Sequence, residues 1–330
     1  MSKGSIFAHP YTSLEHSDPF NKNVFAINWI FFNICNFKCS YCVPNLYDGT
    51  VRGVELPVVK KFVERLFQQI KDKTLFFEFT GGEITYYKHF NELFSFIKSL
   101  GGSTGILTNG SRDKTWWDEN IDLIDHVNIS FHPEHMSPDI FFDTLKHLLG
   151  RSTIHVNLMM LQEHFDSTYR LAQRIVNELE GISVALQPLF KGFSGSMFDY
   201  TPEQLVLLKT PLNRNAVDYQ YTLPSGYKEK IFRGSMVEKY ANGDAIQVDP
   251  HFIIAKQENS WWGWECDIGL EGINISGEGY VFKSVCMGNQ GLGHISDDDF
   301  QLPKTGVFCP KKKCTCATDI MVTKRKPSWI

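Results

Sequence analysis

A chain of 330 residues, 42% hydrophobic and 21% charged, has the balance of a globular fold with a full core, which excludes disordered and collagen-like classes. A formal net charge of -4 offers no global attraction for a polyanion and disfavours long nucleic acid as a partner. No apolar run is long enough to cross a bilayer, and the N-terminal MSKGSIFAHPYTSLEHSDPF lacks the apolar stretch of a signal peptide, so the expectation is a cytoplasmic protein with no membrane attachment.

After a polar arm (residues 1–23), VFAINWIFFNIC (24–35) is short, aromatic and β-branched, and reads as a buried strand that ends at a cysteine. Residues 57–71 place Val58, Val59, Phe62, Val63, Leu66, Phe67 and Ile70 on one helical face. The alternation then continues. Strand TLFFEFT (74–80) precedes helix HFNELFSFIKSL, and strand STGILT (103–108) precedes a short helix around Trp116. HVNISF (126–131) precedes DIFFDTLKHLL, TIHVNLMML (153–161) precedes FDSTYRLAQRIVNEL, and ISVALQPL (182–189) ends the series. Six strands alternating with helices over residues 24–190 predict a parallel α/β sheet with right-handed crossovers, open or curved into a partial barrel, with ligands at the carboxyl ends of its strands. Thr201, Pro202 and Gln204 then form a helix start with cap, first-turn proline and capping box. Residues 191–260 read as a connecting, substrate-covering segment, and 261–330, rich in Gly and Cys, as a small metal-stapled unit.

Thiols remain reduced in the cytoplasm, so eight cysteines call for metal rather than disulfides. Their distribution indicates two sites: Cys35, Cys39 and Cys42 lie close together, and Cys266, Cys286, Cys309, Cys314 and Cys316 fall in the last 65 residues. Thiolates suit zinc, copper(I) or iron–sulfur clusters. Three protein ligands leave one coordination position open, which is how a metal becomes reactive rather than structural. Strand 74–80 runs into Gly81, Gly82 and Glu83. Paired glycines allow close backbone approach, and the carboxylate is a candidate acceptor for an ammonium group.

Together, CxxxCxxC after the first strand, with aromatic Tyr41 before its last cysteine, and GGE after the second strand resemble the radical S-adenosylmethionine (radical SAM) superfamily. The resemblance covers residues 24–190 and implies a partial (β/α)6 barrel. It also implies a 4Fe-4S cluster on Cys35, Cys39 and Cys42, whose fourth iron takes the amino and carboxylate groups of S-adenosylmethionine. Reductive cleavage then gives a 5′-deoxyadenosyl radical that abstracts a substrate hydrogen, with electrons from a flavodoxin- or ferredoxin-type donor. Tyr41, Gly81, Gly82, Glu83, Asn109, Ser130 and Asn157 occupy positions that contact the cofactor in this family. Many relatives carry an Asp-Gly pair after the fourth-strand serine, whereas this chain has Phe131, His132, Pro133 and Glu134. His132 and Glu134 become candidates for substrate binding or proton movement, and Gln187 has a similar place.

The C-terminal cysteines, with a hairpin turning at Gly277 and Gly279 between Cys266 and Cys286, resemble a SPASM or shorter twitch extension. This implies an auxiliary 4Fe-4S cluster held by Cys266, Cys286 and two of Cys309, Cys314 and Cys316, with a structural zinc as the alternative. The expected function is radical chemistry on a small molecule (a sugar, aminocyclitol or nucleoside) leading to oxidation or epimerisation. Modification of a peptide or protein side chain and a non-catalytic zinc-thiolate binding module are the other readings.

Overall fold

A computed structural model describes residues 9–17, 23–192, 196–210, 212, 221–222, 228–229, 236–248, 250–285, 291–314 and 316–327. Cys286 and much of 211–235 lie outside them.

Six parallel strands form the centre: β2 (Val24–Phe32), β3 (Thr74–Gly81), β4 (Ser103–Thr108), β5 (His126–Phe131), β6 (Thr153–Met159) and β7 (Ile182–Gln187), hydrogen-bonded in that order. Between them run α1 (Leu56–Gln69), α2 (Phe90–Ser99), α3 (Lys114–Asn120), α4 (Pro138–Leu148) and α5 (Phe165–Glu178), and α6 (Pro202–Leu208) follows β7. This is the (β/α)6 arrangement of a partial barrel. It remains open, because β7 is an edge of its sheet.

The helices form where the apolar spacing places them. α1 buries Leu56, Val59, Phe62, Val63 and Leu66 on one face, and α2 buries Phe90, Leu93, Phe94 and Ile97. Asp113 and Ser137 cap α3 and α4 by accepting from Trp116 N and Ile140 N, and Thr201 and Gln204 form the expected capping box on α6. Alternate strand residues, among them Trp29, Phe77, Phe79, Ile106, Val127, Ile129, Val156 and Leu158, face these helices in one continuous core. Burying each such side chain contributes about 1.5–3 kcal/mol.

The other strand face grades from closed to open toward the carboxyl ends. Ala26, Phe76, Gly105, His126, His155 and Ser183 are buried, whereas Asn28, Glu78, Asn128, Ser130, Asn157 and Gln187 are half-buried.

The central sheet also extends past β2. β13 (Gly272–Ile275) pairs with β2 in parallel, and β14 (Tyr280–Phe282) and β15 (Gly291–His294) continue it antiparallel. The hairpin expected after Cys266 is thus an edge of the main sheet. A second sheet draws on both ends of the chain: β1 (Ser13–His16), β10 (Met236–Lys239), β11 (Ala245–Val248), β12 (Glu265–Cys266), β16 (Val307–Phe308) and β17 (Lys324–Arg325), in the order β11-β10-β1-β17-β12-β16. Part of the N-terminal arm is therefore a strand. Its partners lie more than 200 residues away, and four residues carry no period that local reading detects. The remaining elements are α7 (Pro250–Ala255), α8 (Ala317–Ile320) and the two-residue pair β8 (Tyr221–Thr222) and β9 (Lys228–Glu229).

Candidate metal and cofactor site

β2 stops at Phe32, before the cysteine loop. The next residue, Asn33, is buried and organises the whole loop. Its Nδ2 donates to Asn45 O (2.8 Å), Asp48 Oδ1 (2.7 Å) and Thr50 Oγ1 (3.1 Å), and its Oδ1 accepts from Val51 N (2.8 Å). Sequence reading missed Asn33, whose only signal is a polar residue at the end of an apolar strand.

Cys35, Cys39 and Cys42 lie on this loop, with Cys39 buried and the other two half-buried. Phe37 N donates to Cys35 Sγ (3.4 Å), and Cys42 N donates to Cys39 O (3.0 Å). Burial is the main cause that pushes all three thiols above their ordinary range, Cys39 to about 12. Thiols so placed carry charge readily only when a metal takes it up, so three soft donors on one loop suit a thiolate-ligated iron–sulfur cluster.

The GGE segment meets this loop backbone to backbone. Gly82 N donates to Phe32 O (2.8 Å), and Glu83 N donates to Ile34 O (2.7 Å). A Cβ on Gly82 would stand 2.0 Å from Ile34 O, and one on Gly81, at φ +128°, 2.1 Å from Phe32 O. The close approach that both glycines permit is to the chain's own cysteine loop. Glu83 is fully buried, and burial raises its carboxyl while four donors work the other way. These are Thr85 N (3.2 Å), Thr85 Oγ1 (2.7 Å), Thr108 Oγ1 (2.7 Å) and Asn109 N (2.7 Å). Both hydroxyls accept elsewhere, Thr108 from Gly110 N and Thr85 from Arg112 Nε, so their protons point at the carboxylate. Glu83 thereby fastens the end of β3 to the end of β4 and reaches the cysteines through Asn109. The Asn109 Nδ2 lies 2.9 Å from Asn36 Oδ1 and 3.9 Å from Cys35 Sγ.

At the end of β5, His132 Nδ1 lies 3.3 Å from Cys39 Sγ and 2.8 Å from Tyr41 Oη. Glu134 Oε2 accepts from Ser40 N at 2.8 Å. The His132 and Tyr41 rings are parallel within 3°, and Phe37 stacks on His135 with centroids 4.6 Å apart. Cys39 Sγ, a Glu134 oxygen and a His135 nitrogen all lie within 4.8 Å of one another. Burial first, and His135 second, push the His132 imidazole down to about 4. His132 and Glu134 thus contact the cysteine loop itself.

Ser130 and Asn157 stand opposite each other in the β5–β6 register on the open strand face. Asn157 Nδ2 donates to Asn128 Oδ1 (2.7 Å), its Oδ1 pairs with His155 Nε2 (3.2 Å), and His155 Nδ1 pairs with Ser183 Oγ (2.9 Å). Gln187 turns its amide to Pro188 O (2.8 Å).

Cys266, Cys309 and Cys314 are buried, in the neighbourhood of the second sheet. Pairing of Cys266 with Val307 across β12 and β16 brings Cys309 to the same sheet end, while Cys314 packs with Trp261 and Trp264. Burial raises the Cys316 thiol to about 11. Cys286 lies outside the described residues. Among those residues, no three of these cysteines bring their sulfurs within 4.8 Å of one another.

Residues 29–174 match the model of the Radical SAM superfamily. Over 164 residues the chain is 26% identical to a GTP 3′,8-cyclase of Photorhabdus laumondii subsp. laumondii, covering 44% of this chain and 49% of that protein. It is 25% identical over 169 residues to an S-adenosylmethionine-dependent nucleotide dehydratase of Flammeovirga pacifica, covering 47% and 53%. The chain thus spans about half the length of the curated relatives it matches. Streptococcus suis SuiB bound to S-adenosylmethionine superposes with a TM-score of 0.54 at 17% identity, covering 84% of this chain and 64% of that one. Native anSMEcpe with bound AdoMet gives 0.51 at 15%, covering 83% and 78%. These last two are likenesses of fold.

Proposed function

We propose, from the match of residues 29–174 to the Radical SAM superfamily, that the protein is an enzyme that reductively cleaves S-adenosylmethionine and abstracts a hydrogen atom from a small molecule. The observation that carries this reading is the seating of the Cys35–Cys39–Cys42 loop against Gly82 and Glu83, which sets three thiols at the carboxyl end of β2. Cys35, Cys39 and Cys42 would hold the cluster, and when bound it supplies the electron that splits the sulfonium into methionine and a 5′-deoxyadenosyl radical. The chain's own residues then do the positioning. Asn109, held by Glu83, offers its amide beside Cys35. Ser130 and Asn157 lie deeper on the open strand face, where they would contact the cofactor.

A nucleoside, sugar or aminocyclitol suits this face, where Asn28, Asn128, Asn157 and Gln187 stand above an apolar floor at Ala26 and Phe76. Two curated relatives, by their names, act on GTP and on nucleotides. The second reading is a peptide substrate, because SuiB and anSMEcpe have been solved with peptides. The C-terminal cysteines are assigned an auxiliary four-iron cluster in the unit 261–330, supported by the burial of Cys266, Cys309 and Cys314.

Anaerobic purification tests the reading. About eight iron and eight sulfide per chain are expected for two four-iron clusters, with 5′-deoxyadenosine formed on adding reductant and S-adenosylmethionine. A colourless zinc protein would refute it. Nucleoside and peptide panels, scored by coupled product formation, then separate the two substrate classes.

A further inference from the structure

One side of the cysteine loop is covered by the segment that follows β5. Three successive parts of that segment each engage a different part of the loop: His132 the sulfur of Cys39 and the hydroxyl of Tyr41, Glu134 the backbone of Ser40, and His135 the ring of Phe37. The Tyr41 hydroxyl and the Cys39 sulfur thus share one imidazole nitrogen, at 2.8 Å and 3.3 Å. Cys39 is the most buried of the three cysteines and has the His132 imidazole at its sulfur, with the Tyr41 hydroxyl on the same ring nitrogen. Cys35 is approached by a backbone N–H at 3.4 Å and by the Asn109 amide only at 3.9 Å.

A sulfur that ligates iron is a thiolate and can only accept. A bare imidazole lone pair 3.3 Å from that charge is repelled, which favours the tautomer with hydrogen on Nδ1. Tyr41 Oη then accepts part of the Nδ1–H bond, leaving its own proton free to turn to the same sulfur. Two donors on one ligand stabilise the extra negative charge that a cluster gains on reduction, so they raise its reduction potential.

We propose that His132 and Tyr41 are positioning residues that hold the Cys39 ligand by paired hydrogen bonds and set the cluster's reduction potential, with Glu134 fixing the loop backbone beside them. This rests on the cluster reading of Cys35, Cys39 and Cys42. It also accounts for the residues His132 and Glu134 as partners of the loop rather than of a substrate.

The test uses the full chain, reconstituted anaerobically, with His132→Phe, His132→Gln, Tyr41→Phe and the Tyr41→Phe/His132→Phe double variant. Iron per chain, the electron paramagnetic resonance spectrum of the reduced state and its midpoint potential are measured for each. Native iron content is expected throughout, with the midpoint more negative in both Phe variants and furthest in the double. His132→Gln, whose amide can still donate, should recover part of the shift. Native iron with an unchanged midpoint in His132→Phe and Tyr41→Phe overturns the inference. Should His132→Phe lose iron, Tyr41→Phe decides, since it removes one hydroxyl and leaves its ring in place. Wild-type protein that takes up no cluster overturns the parent reading, and is recognised before any variant is compared.

Discussion

The Glu83 carboxylate is the strongest single fastening near the cysteine loop, and Glu83→Gln probes it with almost no change of shape. The glutamate accepts four hydrogen bonds, three at Oε1 and one, from Asn109 N, at Oε2. A glutamine can keep its oxygen toward the three donors around Oε1, but its amide nitrogen then faces the N–H of Asn109, donor against donor. Losing that charge-assisted bond costs about 1.5–3 kcal/mol, and the orphaned N–H adds to it. Relief of the buried charge offsets a part, leaving a destabilisation of about 2–4 kcal/mol. At roughly 2 cal/mol/K of unfolding entropy per residue, a chain of this size would melt about 3–6 °C lower.

Two assays read different ends of this fastening. Thermal or denaturant unfolding reports the energy. Iron release to a chelator reports the consequence at the loop, because Asn109 also reaches Asn36 and Cys35. Release several-fold faster than wild type is expected. A midpoint within about 1 °C of wild type together with unchanged iron release would refute the reasoning, since a glutamine is a faithful mimic only of a protonated Glu83.

Four further outcomes are expected. Replacing Cys35, Cys39 or Cys42 singly by Ala should abolish 5′-deoxyadenosine formation while leaving far-UV circular dichroism unchanged. Cys266→Ala should instead spare cofactor cleavage more than product formation, and the reverse pattern would sink the assignment of separate roles to the two cysteine groups. Gly82→Ala, whose new Cβ would stand 2.0 Å from a backbone carbonyl, should cost well over about 3 kcal/mol or prevent folding. Gly101→Ala, at φ +86° with nothing within 4 Å of the new atom, should cost about 1 kcal/mol; soluble yield and urea midpoints compare the two. Burial alone would raise the Glu271 carboxyl, but His16 and Thr323 overcome it and hold it at about 2, below the ordinary 4.5. Its contribution, at most about 3 kcal/mol, is therefore complete above pH 4.5 and lost as pH falls toward 2. Glu271→Gln should flatten that part of the stability–pH curve, and an unchanged acid limb would count against it.

The central alternation was legible because both periods are long and strong there. Helical faces such as Val59–Phe62–Val63–Leu66 and strands such as LFFEF have local partners, so sequence order matches spatial order along β2 to β7. The second sheet was not legible. Strands of two to four residues pair across most of the chain, as Ser13 does with Lys239 and Arg325, and nothing local records such a partner. The same limit applies within the site. Motif spacing located the cysteines and the GGE turn, but it could not tell that Gly82 makes room for Ile34 or that Glu83 spends its lone pairs on Thr85, Thr108 and Asn109. Those assignments depend on which residues of β3 and β4 end side by side.

The extension of the main sheet by β13 gives the C-terminal segment a mechanical role at the cysteine loop. Gly272 lies so close to Ala26 that a Cβ would meet its carbonyl at 2.3 Å, which seats β13 flush along β2, the strand that carries the loop. At the far end of that hairpin, a Cβ on Gly277 would meet Val51 at 2.5 Å. Val51 in turn pairs with Asn33, the residue that ties the rear of the loop together. Three independent supports therefore converge on one short segment: Glu83 and Asn109 from β3 and β4, His132 and Glu134 from β5, and the β13–β14 turn through Val51 and Asn33. A loop held from three sides loses little conformational freedom when a ligand binds, so more of the binding energy is available to orient what it holds. It also follows that disturbing the hairpin, far in sequence from Cys35, reaches the cysteines through packed backbone rather than through the C-terminal cysteines themselves.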